Sequence, residues 1–206
     1  MKKIKTFILL TFLFILFCTI QLVSYANNIS SNLSNTFFRL HIIANSDSEE
    51  DQELKLKVRD EIISYMNNLN YKTASKDEIK ELSIKNSDEL KEIAEKVILD
   101  NGYNYNVKVK VGNFNFPTKY YGNISLPAGN YDALRIEIGD AKGQNWWCSL
   151  FPPLCFVDIS SGVIDEKGTS YLKNTLTPEE FEIITNDSRD IKIKFKIIEM
   201  LNSNSK

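Results

Sequence analysis

The sequence has one histidine, His41, and only three cysteines, of which Cys18 lies inside an N-terminal apolar run. Cys148, Cys155 and His41 remain as soft metal ligands, one short of a tetrahedral zinc set, with neither a C-x-x-C nor an H-E-x-x-H spacing. A Gly-rich phosphate loop is missing as well: the nearest approach, GNISLPAG, has no Lys-Ser/Thr and leads into no helical pattern. Positive charge is not in excess, with 25 Lys and Arg against 27 Asp and Glu. That balance excludes the electrostatic footprint of a nucleic-acid binder and the polybasic patch of an anionic-lipid binder. No internal repeat or low-complexity tract is present. These absences point to a protein without cofactor or metal.

What is present begins at the N-terminus. Lys2, Lys3 and Lys5 precede a charge-free apolar run from Phe7, and Ser24-Tyr25-Ala26 follows with small residues two apart. Basic, apolar, small-x-small is the order of a secretory signal peptide, cleaved after Ala26. An uncleaved anchor is the other reading, because the run reaches about 17 residues if Gln21 is tolerated, the lower edge for a membrane span. Both place the remainder outside the cytoplasm, since the lysines come first. Lipid attachment at Cys18 is disfavoured by the bulky Phe17 before it. Residues 1–26 carry those three lysines and no acid, so the remainder has 22 basic and 27 acidic residues.

Residues 27–36 are rich in Asn and Ser and read as a flexible stalk. FFRLHIIA, from Phe37, is a strand candidate. Asn45-Ser46-Asp47-Ser48 then supplies helix-capping residues before Glu49, Glu50 and Asp51, acids that suit a helix first turn. Leu54, Val58, Ile62, Met66 and Leu69 recur at helical spacing. A second helical region covers 75–100 in two pieces, the first opened by a Ser75/Glu78 capping box, with Asn101-Gly102 as the stop. Period-two alternation follows: Val107, Val109 and Val111 share one strand face, and Leu134, Ile136 and Ile138 another. Pro178 after Thr177 marks a helix start, and residues 191–197 alternate Lys with apolar residues as a last strand or a short amphipathic helix. The expected fold is α+β, an N-terminal strand and two or three helices packed on a mainly antiparallel sheet formed largely by residues 104–200. A single domain over 37–201 and a disordered tail at 202–206 complete the layout.

The least ordinary stretch is NWWCSLFPPLCFVD, residues 145–158. It can be two core strands around a Pro-Pro corner, or an exposed aromatic anchor for a partner. On the second reading Trp146, Trp147, Phe151, Pro152 and Pro153 form a docking surface together with Asn45 and Asp47. Cys148 and Cys155 have three readings: a disulfide closing a small loop, two buried thiols, or one functional thiol. The last needs a base, and His41 is the one imidazole, so Cys148 and His41, with Asp47, Asn45 or Asp158 as orienter, are the candidate dyad of a hydrolase. The oxygen-rich 45–48 segment could hold a cation, but capping explains the same residue types.

Three segments carry a family resemblance: FRLHIIANSDSEEDQELKLKVRD at 38–60, GNFNFPTKYYGNISLPAGNYDALRIEIG at 112–139, and GQNWWCSLFPPLCFVD at 143–158. In this order, behind a signal-like segment, they resemble the stage II sporulation protein R family of endospore-forming bacteria. The resemblance implies a protein made in the forespore and exported into the space between the two sporulation membranes. There it would activate a membrane-embedded aspartic peptidase that processes pro-sigma-E in the mother cell. It implies a binding ligand without enzymatic activity, touching membrane only through its N-terminal segment. The alternative is an extracytoplasmic Cys/His hydrolase acting on peptide or cell-wall material.

Overall fold

A computed structural model of the chain describes residues 2–69, 75–121, 124–155 and 166–185. The strand or short amphipathic helix expected at 191–197, the tail at 202–206, and Phe156 and Asp158 lie outside the described residues. Helix α1 (Lys2–Thr36) leads into strand β1 (Phe38–Ile43), then α2 (Glu49–Asn68), α3 (Lys76–Lys85) and α4 (Ser87–Asp100). Strands β2 (Val107–Phe116), β3 (Lys119–Tyr121), β4 (Ile124–Leu126), β5 (Gly129–Ile138) and β6 (Asn145–Phe151) follow, and α5 (Glu166–Thr175) and α6 (Pro178–Thr185) come last.

Helices α2, α3 and α6 start where capping chemistry places them. Ser48 Oγ accepts the Asp51 backbone N–H at α2, behind three first-turn acids. Ser75 and Glu78 form the reciprocal capping box of α3. At α6, Thr177 Oγ1 accepts the Glu180 N–H while the Glu180 carboxylate accepts the Thr177 N–H. Gly102, at φ 85°, turns the chain out of α4 in the left-handed region that glycine enters freely.

The sheet order is β2-β5-β1-β6, with β2–β5 and β1–β6 antiparallel and β1–β5 parallel. The sheet is therefore mixed, and β1 lies inside it, hydrogen-bonded on both sides, where the sequence pattern had it packed on a mainly antiparallel sheet. Its apolar composition fits that interior place, since all six of its residues are buried. Val107, Val109 and Val111 register with Ile138, Ile136 and Leu134, so the two alternating runs share one face. That face packs under α2, α3 and α4 through Leu40, Ile42, Leu54, Val58, Ile62 and Leu90. The other face is covered by the end of α1, the β3–β4 hairpin, α5 and α6, around Leu33, Phe37, Phe116, Tyr131, Leu172 and Ile184.

Residues 27–36, expected as a flexible stalk, are instead the last turns of α1. Ile29 and Leu33 are four apart and buried, and Phe37 extends the same stripe into the core. Composition misled here because one apolar residue per turn is enough to seat a polar helix on a core.

Candidate functional site

Among the described residues strand β6 is an edge of the sheet, and its alternation sends consecutive side chains to opposite faces. Trp146, Cys148 and Leu150 turn toward the helices, whereas Trp147 and Ser149 turn the other way. Trp146 is half-buried beneath the Arg59 guanidinium, 4.3 Å from its ring centre. Its indole Nε1 is buried without a hydrogen-bond partner among the described residues. Trp147 stacks on His41 at 3.7 Å, meets Phe116 edge-on at 4.7 Å, and has Lys119 Nζ 5.6 Å from its ring centre. Phe151 is half-buried with its edge to Tyr171 at 5.9 Å, Pro152 is buried and Pro153 half-buried. The aromatic residues singled out in the sequence are thus wedged into two separate cores, with only part of each ring at the surface.

Cys148 and Cys155 are joined in a disulfide, with Cα atoms 5.1 Å apart. Leu154 N–H bonds the Ser149 carbonyl at 2.9 Å, so the chain folds back on β6 directly after the Pro-Pro corner. The candidate dyad does not form. Cys148 registers with Leu40 on the helical face, and His41 registers with Trp147 on the opposite one, so the sheet separates them. The sulfur is in any case committed to Cys155. A one-residue offset between facing strands is enough to place two side chains on opposite sides.

His41 is a packed core group. Its Nε2 contacts Asn145 Oδ1 at 2.6 Å, which calls for a proton on Nε2, and Nδ1 is buried without a partner among the described residues. Burial lowers its pKa from 6.5 to about 4; the Asn145 bond acts in the other direction and Arg135 adds to the lowering. The unfolded chain therefore takes up a proton below pH 6.5 that the folded chain refuses until about pH 4. Stability on this account is complete above pH 6.5 and falls by on the order of 3 kcal/mol as pH drops to about 4. Replacing His41 by Gln keeps a donor for Asn145 and removes that slope. Urea unfolding at pH 7 and pH 4.5 checks it, and a variant losing as much stability as the parent across this interval refutes the assignment.

Arg39, on the same side of β1 as His41, was not singled out by any motif. Its side chain is 0 % exposed. Nε donates to the Cys148 carbonyl at 3.0 Å and Nη2 to the Tyr121 hydroxyl at 2.5 Å. The guanidinium carbon lies 4.6 Å from the Phe116 ring centre, 5.0 Å from Tyr131 and 5.7 Å from Tyr121. Nη1 has no partner, and no carboxylate pairs with Arg39 among the described residues. An arginine inside the apolar run FFRLHIIA was the one sequence signal for it. Burial raises the pKa of Tyr131 to about 12, and the nearby Arg39 charge offsets part of that rise.

The 45–48 segment works as a clamp. Asn45 Nδ2 and Ser46 Oγ donate to the Asp51 carboxylate at 2.8 and 2.5 Å. Burial pushes that carboxyl up, yet the hydrogen bonds from Ser46, Asn45 and Tyr105 outweigh burial and hold it below the ordinary carboxylate range. Asn45 Oδ1 accepts the Asp140 N–H at 3.0 Å, and Asp47 Oδ1 accepts the Gln144 N–H at 2.7 Å. Lys142 N–H and Gly143 N–H bond the carbonyls of Asn45 and Ala44. Asn45 and Asp47 therefore fasten the turn before β6 to the start of α2, with Asp47 exposed at the rim. Their side-chain oxygens accept backbone N–H groups of the 139–144 turn, so the helix-capping role expected of 45–48 falls to Ser48, and Asn45 and Asp47 cap no helix N–H among the described residues. No cluster of three or more His, Cys, Asp and Glu suited to a metal occurs among the described residues. An open groove of about 560 Å³ lies between α2 and α4, lined by Lys57, Asp60, Glu61, Ile93, Lys96 and Val97, and includes none of these candidates.

In α1, the apolar side chains from Ile4 to Tyr25 project outward, and the helix is long and apolar enough to cross a membrane, a property that signal sequences share. Residues 34–161, which hold β1, β6 and the clamp, match the family model described as stage II sporulation protein R. The chain is also 42% identical over 124 residues to the stage II sporulation protein R of Bacillus subtilis (strain 168). That match covers 60% of this chain and 55% of the relative, so it spans little more than half the relative's length. No solved structure matches the chain. The family match takes in most of the chain and the whole of the clamp and the tryptophan strand: this protein belongs to the stage II sporulation protein R family.

Proposed function

We propose that this protein is an exported signal of sporulation that binds, and so activates, the membrane-embedded aspartic peptidase that processes pro-sigma-E in the mother cell. The family match over residues 34–161 carries this reading. Two features of the chain are in keeping with it. The apolar N-terminal helix suits a signal or an anchor, and the cysteine–histidine pair that a hydrolase would use is split by the sheet. Activation by binding requires only that the ligand prefer one conformation of its partner. The docking edge in this reading is the rim formed by Trp146, Trp147 and Phe151 of β6, with Pro153 and the Asn45–Asp47 clamp beside it.

The test is conversion of pro-sigma-E in sporulating cells whose only copy of this protein is a variant. Trp146→Ala is expected to lower conversion roughly tenfold or more, the effect of a single hot-spot side chain, with the exported amount unchanged. The Cys148→Ser, Cys155→Ser double variant is expected to signal wherever it stays folded. Normal conversion with Trp146→Ala, Phe151→Ala and Asp47→Ala together, in a protein shown to be folded, removes the docking edge. Turnover of a peptide or wall fragment by the purified protein overturns the ligand reading itself.

A further inference from the structure

Helix α1 passes without a break from the outward-facing apolar segment into the core. Ser24-Tyr25-Ala26 marks the Ala26–Asn27 peptide bond for a signal peptidase, and that bond lies in mid-helix. Three residues later Ile29 is buried, Leu33 and Phe37 are 0 % exposed, and all three belong to the second core with Ile124, Leu126 and Tyr131. Ser30 Oγ donates to the Ala128 carbonyl at 3.3 Å. Gly129 makes room for the helix, since a Cβ there would come 3.0 Å from Ser34 Oγ. At the far end Lys76 Nζ caps α1 by donating to the Asn35 carbonyl at 2.8 Å, and it pairs with Asp132 at 3.2 Å. On the near side the Tyr25 hydroxyl donates to the Glu179 carboxylate of α6. The bond is therefore held from both sides.

Proteolysis requires the backbone around the scissile bond to leave its secondary structure, and its rate follows the population of that open form. We propose that seating of residues 27–37 on the core protects the Ala26–Asn27 bond, so that signal cleavage and folding compete. A chain cleaved during export is released, with water adding across the bond to leave a carboxyl on Ala26 and an amine on Asn27. A chain that folds first stays anchored. In that form the six helical steps from Val23 to Ile29 place the domain about 9 Å beyond the apolar segment, at 1.5 Å per step. The inference concerns the membrane junction alone and does not depend on the signalling role.

The experiment uses the full-length folded protein in detergent micelles with a purified type I signal peptidase, following the new Asn27 N-terminus by mass spectrometry. Three proteins are compared: the parent, Leu33→Asp, and a parent carrying a flexible Gly-Ser insertion of about a dozen residues between Asn28 and Ile29, which frees the bond without altering the core. The parent is expected to be cleaved at least about tenfold more slowly than either. The insertion variant, with unfolding checked by thermal melting, keeps the test decisive if Leu33→Asp does not fold. Equal cleavage of parent and insertion variant, whether both fast or both absent, overturns the proposal.

Discussion

Replacing Arg39 by alanine is expected to destabilise the protein by about 3–5 kcal/mol, enough to lower its melting temperature by roughly 10 °C. Two acceptors lose their donor, the Cys148 carbonyl in a buried site and the Tyr121 hydroxyl in a part-buried one. Each such orphan costs about 1–3 kcal/mol. The space between Phe116, Tyr131 and Tyr121 is left as a cavity, which adds its own term. The opposing effect is desolvation: a buried charge without a carboxylate partner among the described residues is held against a penalty of several kcal/mol. Methionine separates the two. Arg39→Met fills most of the volume and removes the charge, so it reports whether the three rings and two hydrogen bonds outweigh desolvation. We expect it to lose about 2 kcal/mol, less than alanine because the cavity is filled. Chemical unfolding of both variants measures this, and an Arg39→Met protein as stable as the parent shows that the guanidinium contributes nothing net to folding.

The second large effect belongs to Gly143. A Cβ built there would sit 2.1 Å from the Ser46 carbonyl oxygen and 2.5 Å from its carbon, both backbone atoms that no rotamer change can move. Gly143→Ala is expected to cost about 3 kcal/mol or more, because the turn must lift away from the clamp. Lifting breaks the bonds from Lys142 and Gly143 N–H to the Asn45 and Ala44 carbonyls and from Gln144 N–H to Asp47. Lys55 Nζ also loses the Gln144 carbonyl at 3.1 Å. Gly139→Ala is the useful comparison. Its obstacle is the Asn45 side chain at 2.3 Å, which can rotate, plus a φ of 56° that alanine adopts with strain. Its loss should be nearer 1–2 kcal/mol. Unfolding curves for the two variants decide the matter: Gly143→Ala within 0.5 kcal/mol of the parent, on the scale of a neutral surface change, contradicts the close approach described here. The same lesion would displace the start of β6, so Gly143→Ala should also impair signalling if the tryptophan strand is the docking edge.

Much of the helical half was legible. The Leu54, Val58, Ile62, Met66 stripe, the Ser48 and Ser75 caps and the Gly102 stop depend on interactions within a few residues, and the structure reproduces them. The paired faces of β2 and β5 were readable for the same reason, since alternation assigns each side chain a face before any partner strand is known. The stalk was misread because seating a helix needs a receiving surface, and Ile124, Leu126 and Tyr131 come from strands about a hundred residues away in the chain.

The candidate site divides along the same line. Family membership was legible in three contiguous motifs, and so was the concentration of aromatic residues in 145–158. Which of those rings reach the surface was not. Burial of Trp146 under Arg59, the stacking of Trp147 on His41 and the enclosure of Arg39 by three rings all join residues from different elements. Local propensities and alternation are properties of neighbouring residues, and the sequence alone determined them. Strand order, the side of the sheet on which His41 and Cys148 each fall, and the continuity of α1 with the core were decided by tertiary packing alone. Those outcomes depend on which distant apolar faces bury one another, and burial is a property of the assembled chain.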